Sequence, residues 1–196
     1  MVQLLPTVEL LNQSERGAGF DREEAMKWSL PPAALVESAI PAWYGDPTRA
    51  DTAKYRGGAL FDAGLPFILS IYCCPAAFLL AGLGLRHGLR TGGARRGESL
   101  ALGAAGVGGL LLSMGRFFPL YPMLLSLVPP MQSVRYPVKY FILVAWVLAI
   151  LSARGYEACA SRPEAEREHP RRKPIVMAAL LAGVLGPAIV IAMQAA

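Results

Sequence analysis

Four long apolar stretches constrain the fold of this chain more than any other feature. They cover residues 65–85, 99–115, 136–153 and 175–196, and their one charged residue is Lys139, at the outer end of the third. About 20 apolar residues in an α-helix cross the hydrocarbon core of a bilayer. Hydrophobic residues make up 54% of the 196-residue chain and charged residues 17%. The sequence therefore predicts an all-α, polytopic membrane protein with about four transmembrane helices.

The charges between these stretches predict an orientation. Residues 86–98 contain four arginines and one acid, and residues 154–173 contain five arginines and Lys173. Short loops rich in Lys and Arg stay on the cytoplasmic side. Residues 1–64 contain nine acids and six bases, which fits the other side. We expect residues 86–98 and 154–173 in the cytoplasm, and residues 1–64 and 116–134 outside.

This pattern divides the chain into an extracytoplasmic segment, residues 1–64, and a transmembrane helical region, residues 65–196. In the first, Asp21 is expected to begin a short helix, because acids occupy the turn that follows it. A second short helix is predicted over residues 33–40. Residues 117–134 are apolar but contain four prolines, which predicts a bent, re-entrant or interfacial element. Irregular backbone at membrane depth is tolerated where it lines a cavity or is buried in protein.

Export of residues 1–64 needs an explanation. Residues 1–11 have no basic region and too short an apolar run for a signal peptide. We expect the chain to be an internal piece of a larger polytopic protein, with at least one span upstream. The alternative is insertion with the N-terminus outside and no signal.

The start of the third span is the candidate binding site. Pro137 suits the first turn of a helix, and the residue before a proline, Tyr136, is expected to be extended. The first turn of a helix has unpaired N–H groups and the positive end of the helix dipole. Arg135 and Lys139 flank this turn, so together they could bind a phosphate group. Alternatively, both side chains only reach lipid headgroups while Tyr136 and Tyr140 form an aromatic belt.

Other chemistry has little support in the sequence. The spacing of histidines, cysteines and acids indicates no metal site, and no phosphate loop or other cofactor motif is present. Asp46 could be a catalytic carboxylate, but between Gly45 and Pro47 it more often stabilises a turn. The net charge of +5 comes largely from the predicted cytoplasmic loops, which favours anionic lipids and not nucleic acid as partners.

A stripe of small residues is predicted to pack the second span. Ala101, Ala105, Gly109 and Ser113 recur at a spacing of four. Small side chains allow two helix backbones to approach closely. We therefore expect this stripe to face a neighbouring helix.

An ordered set of short strings carries a family resemblance. They are residues 3–7, 9–11 and 14–16; residues 28–32, 41, 44–45 and 55–57; residues 65–67 and 70–72; and residues 115–116, 120–122 and 135–141. In this order they resemble the middle of the bacterial YfhO-like membrane proteins, which look like GT-C glycosyltransferases. The resemblance covers the chain up to about Gly155. Val134 departs from it, where the family commonly has an aromatic residue, and so does the pair Cys73 and Cys74.

The resemblance implies an enzyme of the bacterial cytoplasmic membrane. Such an enzyme transfers a sugar from a polyprenyl-phosphate donor to a cell-envelope glycan acceptor on the extracytoplasmic face. Its catalytic carboxylate usually lies in the first extracytoplasmic loop, which would be upstream of Met1, so this fragment is not expected to be active alone. The resemblance assigns the donor phosphate to Arg135 and Lys139 with Tyr136 beside them, and less directly to Arg116 and Arg16.

Two other functions fit the same residues. A flippase or other transporter of lipid-linked sugars would use the basic site without cleaving a bond. A non-catalytic membrane scaffold would need neither basic residue for activity.

Overall fold

All regular structure in the described part of the chain is helical. The computed structural model describes residues 9–10, 20–48, 55–62, 64–128, 131 and 134–160. Over these residues it confirms the prediction of an all-α fold. The predicted span over residues 175–196 and the candidate Arg16 lie outside them. The α-helices are α1 (Arg22–Ala25), α2 (Pro75–Thr91), α3 (Gly93–Ser113), α4 (Leu120–Leu127) and α5 (Phe141–Ala160); the 3₁₀ helices are Pro32–Ser38, Arg56–Leu60, Gly115–Phe117 and Pro137–Tyr140.

One helix in this part of the chain is long and apolar enough to cross a membrane. It consists of the 3₁₀ turn Pro137–Tyr140 and α5, and spans the 24 residues Pro137–Ala160. The prediction that a helix begins at about Pro137 is therefore confirmed. Only 28% of its most apolar stretch is buried, which leaves much of its surface for lipid or for other helices. This helix is consistent with a membrane location, whereas the count of four spans stays a prediction.

The first predicted span and the loop after it are wrong in their boundaries. Residues 65–74 form no helix, and α2 begins only at Pro75. The predicted loop over residues 86–98 is helical except at Gly92, where α2 meets α3. The reason is that arginines on an exposed helix surface do not end a helix. The break occurs instead at two glycines with positive φ, +74° at Gly92 and +57° at Gly93, a conformation that other residues rarely adopt.

Helices α2 and α5 pack with their backbones in direct contact. Gly84 lies against the backbone of Leu151 and Gly155, and Gly155 lies against the backbone of Leu80. Beside this contact, Ala81, Val147 and Leu151 form a buried apolar cluster. The close approach depends on glycine on both helices, since any side chain would separate them.

Helix α3 packs on α5 through a different face from the one predicted. Gly109 and Ser113 are buried as expected, but Ala101 and Ala105 are exposed. A helix turns 3.6 residues per turn, so a stripe at a strict spacing of four drifts around its surface. The buried face continues instead through Gly106, which lies against Val147.

The N-terminal segment is anchored on the end of α3. The N–H group of Leu30 donates to the carbonyl oxygen of Ser113 at 2.9 Å. The N–H group of Arg116 donates to Ser29 Oγ at 3.0 Å. Leu30 also packs with Val138 and Phe141 in a second apolar cluster. These contacts hold the segment beside the start of the long apolar helix.

Within this segment, the short elements follow the sequence only in part. The helix start at Asp21 is confirmed, because its side chain accepts a hydrogen bond from the N–H group of Arg22 at 2.8 Å. The short helix predicted over residues 33–40 is present as the 3₁₀ helix Pro32–Ser38. In the proline-rich stretch, α4 spans only eight residues, Leu120–Leu127.

The predicted orientation can be tested at two exposed residues. Thr91 lies at the end of α2 and Thr48 in the N-terminal segment, and both are exposed. With the native cysteines replaced, Thr48→Cys should react with a membrane-impermeant maleimide in intact cells, and Thr91→Cys should react only after permeabilisation, because α2 ends on the predicted cytoplasmic side. Labelling of Thr91→Cys in intact cells would reverse the orientation.

Candidate functional site

Three aromatic rings meet where the long apolar helix begins. The Tyr136 ring lies edge-on to Trp28, with centroids 4.7 Å apart, and tilted against Phe67 at 4.9 Å. Trp28 and Phe67 contact each other at 5.5 Å. We call Trp28, Phe67 and Tyr136 the aromatic cluster. It joins three segments that are far apart in sequence.

The backbone of Tyr136 is left-handed, with φ 72° and ψ 81°, and not extended as the sequence predicted. The residue before a proline is normally pushed to the extended region, so the local preference is not followed here. A left-handed conformation costs a non-glycine residue about 1–2 kcal/mol. The contacts of the ring with Trp28 and Phe67 offset that cost, so tertiary packing decides this conformation.

Lys139 lies directly over the aromatic cluster. Its Nζ is 4.8 Å from the centroid of the Tyr136 ring and 5.2 Å from that of Phe67. The side chain is exposed, and within the described residues it forms no ion pair with a carboxylate. Cation–π contact orients the ammonium group without neutralising it. Lys139 can therefore still bind an anion.

Arg135 is ion-paired. Its Nη1 donates to Glu24 Oε1 at 3.1 Å, and its guanidinium carbon is 4.1 Å from the centroid of the Phe20 ring. The other oxygen of Glu24 accepts from Lys27 Nζ at 2.7 Å. The hydrogen bond from Lys27, with a smaller contribution from Arg135, lowers the pKa of Glu24. Lys27, Glu24 and Arg135 together therefore carry a net charge of about +1 at neutral pH.

Arg116 also lies near the start of the long apolar helix, but its guanidinium pairs with another carboxylate. Arg116 Nη2 donates to Asp62 Oδ1, and its guanidinium carbon is 5.3 Å from the Phe117 ring centroid. Gly115, the residue before it, lies against Ser29 and Pro137. Arg135 and Lys139 thus both lie near the Tyr136 ring, 5.3 and 4.8 Å from its centroid, whereas Arg116 pairs separately.

A small cavity lies behind the aromatic cluster. It encloses about 10 Å³ and is lined by Trp28, Phe67, Val138 and Glu37, among others. This volume is about that of one water molecule, so the cavity cannot contain a sugar. Burial raises the pKa of Glu37. A sugar or lipid bound at the candidate site would therefore lie outside this cavity.

Other candidate chemistry is resolved by local contacts. Asp46 Oδ1 accepts hydrogen bonds from the N–H group and the hydroxyl of Thr48, at 2.9 and 2.6 Å, which is the geometry of a turn-stabilising aspartate. No group of three or more histidines, cysteines or acids in the described part of the chain could hold a metal ion.

The sequence did not indicate the acidic partners of the site. Glu24 was expected only as an acid in the first turn of a helix, yet it pairs with a residue 111 positions away. Asp62 and Arg116 are 54 positions apart. Neither pair has a spacing that local rules could detect, because both depend on how the N-terminal segment packs.

No protein-family model, curated protein or solved structure matches this chain. The resemblance to the YfhO-like proteins therefore stays a prediction.

Proposed function

We propose that this chain is part of a membrane glycosyltransferase and binds the phosphate of a polyprenyl-phosphate-linked sugar through Arg135 and Lys139. The whole protein would transfer the sugar to a cell-envelope glycan acceptor on the extracytoplasmic face. The observation that carries this proposal is the position of Lys139. Its ammonium lies over two aromatic rings in the first turn of the long apolar helix, and no described carboxylate neutralises it.

The position of this turn fits a lipid-linked phosphate. If the helix Pro137–Ala160 crosses the bilayer, its first turn lies at the level of the headgroups, where the phosphate of a polyprenyl lipid also lies. The positive dipole end of the helix adds to the attraction. Lys139 and the net positive group of Lys27, Glu24 and Arg135 supply about two positive charges, enough to balance a phosphate.

Plain snorkelling explains fewer of the observations. A lysine that reaches only for headgroups needs neither an aromatic cluster nor a left-handed residue before the helix. Strained backbone is often found at functional sites, and here it lies at Tyr136, between the two basic residues.

The chemistry of the proposed reaction assigns a role to the two basic residues. A hydroxyl of the acceptor attacks the anomeric carbon of the sugar, and the bond from that carbon to the phosphate oxygen breaks. The phosphate leaves with the bonding electrons, and a base on the protein accepts the hydroxyl proton. Arg135 and Lys139 would stabilise the negative charge that develops on the leaving phosphate.

The scaffold alternative has one observation in its favour. Arg135 already donates one N–H group to Glu24. This is expected if the ion pair only connects the N-terminal segment to the long helix. Under that alternative, Arg135 contributes to stability and has no ligand.

Arg135→Lys separates the two functions. It keeps the positive charge and can still contact lipid or Glu24, but it loses the bidentate fork of the guanidinium. We expect the rate of sugar transfer by the full-length protein to fall roughly 10- to 150-fold, which corresponds to the loss of about 1.5–3 kcal/mol, the usual range for a hydrogen bond to a charged group. The measurement is transfer from a polyprenyl-phosphate sugar at matched expression.

Arg22→Lys is the matched control, since Arg22 is exposed on α1, and it should transfer at the wild-type rate. Transfer by Arg135→Lys at the wild-type rate would support the scaffold or lipid-anchor function. Sugar flipping by a wild-type protein without transferase activity would instead identify a flippase.

A further inference from the structure

Glu24 places a fixed negative charge inside the proposed phosphate site. Its two carboxylate oxygens are divided between Arg135 at 3.1 Å and Lys27 at 2.7 Å. We propose that Glu24 makes the site selective for phosphate diesters, which carry one negative charge, over phosphate monoesters, which carry up to two. This inference rests on the proposed function, because it takes Arg135 to be a phosphate ligand.

The geometry lets Glu24 and a phosphate bind Arg135 together. A guanidinium has five N–H donors, and the contact with Glu24 uses Nη1. The Arg135 side chain is 29% exposed, so part of its fork remains accessible to a ligand. A phosphate bound there would lie within one guanidinium width of the Glu24 carboxylate. Each negative charge on the ligand is then repelled by Glu24 in addition to being attracted by the basic residues.

The charge of the ligand decides how strongly this repulsion acts. A phosphate diester has one negative charge at all ordinary pH values, whereas a monoester has about −1.5 to −2 at pH 7 because its second pKa is near 6. Glu24 itself stays ionised, since Lys27 and Arg135 lower its pKa. The monoester therefore meets more repulsion than the diester.

This selectivity would suit the proposed reaction. A polyprenyl-phosphate sugar is a diester, and the polyprenyl phosphate left after transfer is a monoester. A site with Glu24 in place would weaken binding of the product relative to the substrate. Glu24 would thus act on substrate choice and product release, through Arg135, and not on bond cleavage.

The test compares two probes of the same lipid that differ in this charge and by one methyl group. Farnesyl phosphate is the monoester, and farnesyl methyl phosphate is the diester of the same lipid. Their dissociation constants are measured at pH 7.5 on the full chain in nanodiscs of zwitterionic lipid. For Glu24→Gln we expect the affinity for the monoester to rise about 3- to 10-fold more than the affinity for the diester, as for unit charges a few ångströms apart at a surface.

Two variants serve as controls. Glu23→Gln removes the same charge from the exposed neighbour of Glu24 on α1 and should leave the ratio of the two affinities unchanged. Glu24→Asp keeps the charge and should keep the wild-type ratio. At pH 5 the monoester also carries one charge, while the groups that face Glu24, Lys27 and Arg135, remain protonated, so the effect of Glu24→Gln on the ratio should disappear.

The outcomes separate this inference from the proposed function. The inference that Glu24 selects for diesters would be overturned by an unchanged ratio of the two affinities in Glu24→Gln. It would also be overturned by the same change of that ratio in Glu23→Gln or Glu24→Asp. Retained binding of the diester shows that the site of each variant is folded. Failure of both probes to bind the wild type more tightly than Arg135→Lys would instead overturn the proposed phosphate site.

Discussion

Gly84→Ala should destabilise the packing of α2 on α5 by about 1–3 kcal/mol, the usual cost of overpacking. A Cβ atom at Gly84 would overlap the carbonyl oxygen of Leu151 and lie 2.8 Å from the backbone nitrogen of Gly155. Both neighbours are backbone atoms, so no side-chain rotation can relieve the contact. We expect a value near the upper end of this range, measured as a lower unfolding midpoint in detergent.

The control is the same substitution two residues earlier. Gly82 lies on the exposed side of α2, and a Cβ atom there meets nothing within 4 Å. Because glycine weakens a helix by roughly 0.5–1 kcal/mol relative to alanine, Gly82→Ala should be neutral or stabilising. The two variants should therefore differ in sign. Equal midpoints would mean that α2 and α5 do not approach as closely as described.

A double variant tests whether the two glycines form one contact. Gly155→Ala should destabilise for the same reason, because its Cβ would overlap the carbonyl oxygen of Leu80. Once either alanine has separated the helices, the second costs little more. The combined effect of Gly84→Ala and Gly155→Ala should then be smaller than their sum. Full additivity would place the two residues in independent contacts.

Gly115→Ala should disrupt the contact of Gly115 with Ser29 and Pro137, which supports the candidate site. Gly115 has φ +51°, and a Cβ atom there would overlap Ser29 Oγ and lie 2.8 Å from Pro137 Cγ. The left-handed backbone costs alanine about 1–2 kcal/mol, and the steric contact adds about 1–3 kcal/mol. We expect a lower unfolding midpoint and weaker binding of farnesyl methyl phosphate, since Ser29 and Pro137 flank the residues of the site.

Gly92→Ala isolates the backbone part of this effect. Gly92 also has a positive φ, +74°, but a Cβ atom there meets nothing within 4 Å. It should lose only the backbone contribution and keep its affinity for the probe, because Gly92 lies between α2 and α3, away from the residues of the site. If both variants lose the same stability and the same affinity, Gly115 is not a close contact between the N-terminal segment and Pro137.

Features with local causes could be predicted from the amino-acid sequence. Pro137 begins the long apolar helix because its φ suits a first turn and its missing N–H group is not needed there. Asp21 begins α1 because its side chain can accept from the next N–H group. The lack of charge after Lys139 makes that helix apolar enough to cross a membrane. Each of these rules acts within a few residues, so it can be applied without knowing the fold.

The composition of the candidate site depends on tertiary packing. The pairing of Glu24 with Arg135 joins residues 111 positions apart, and the left-handed backbone of Tyr136 depends on the rings of Trp28 and Phe67. Local preference even indicated the wrong conformation for Tyr136, because packing energy outweighed it. The spacing of residues in the sequence does not reveal which carboxylate lies near which basic residue in the folded protein. Arg135 and Lys139 could thus be chosen as candidates from the sequence, whereas Glu24, the acid that pairs with Arg135, could not.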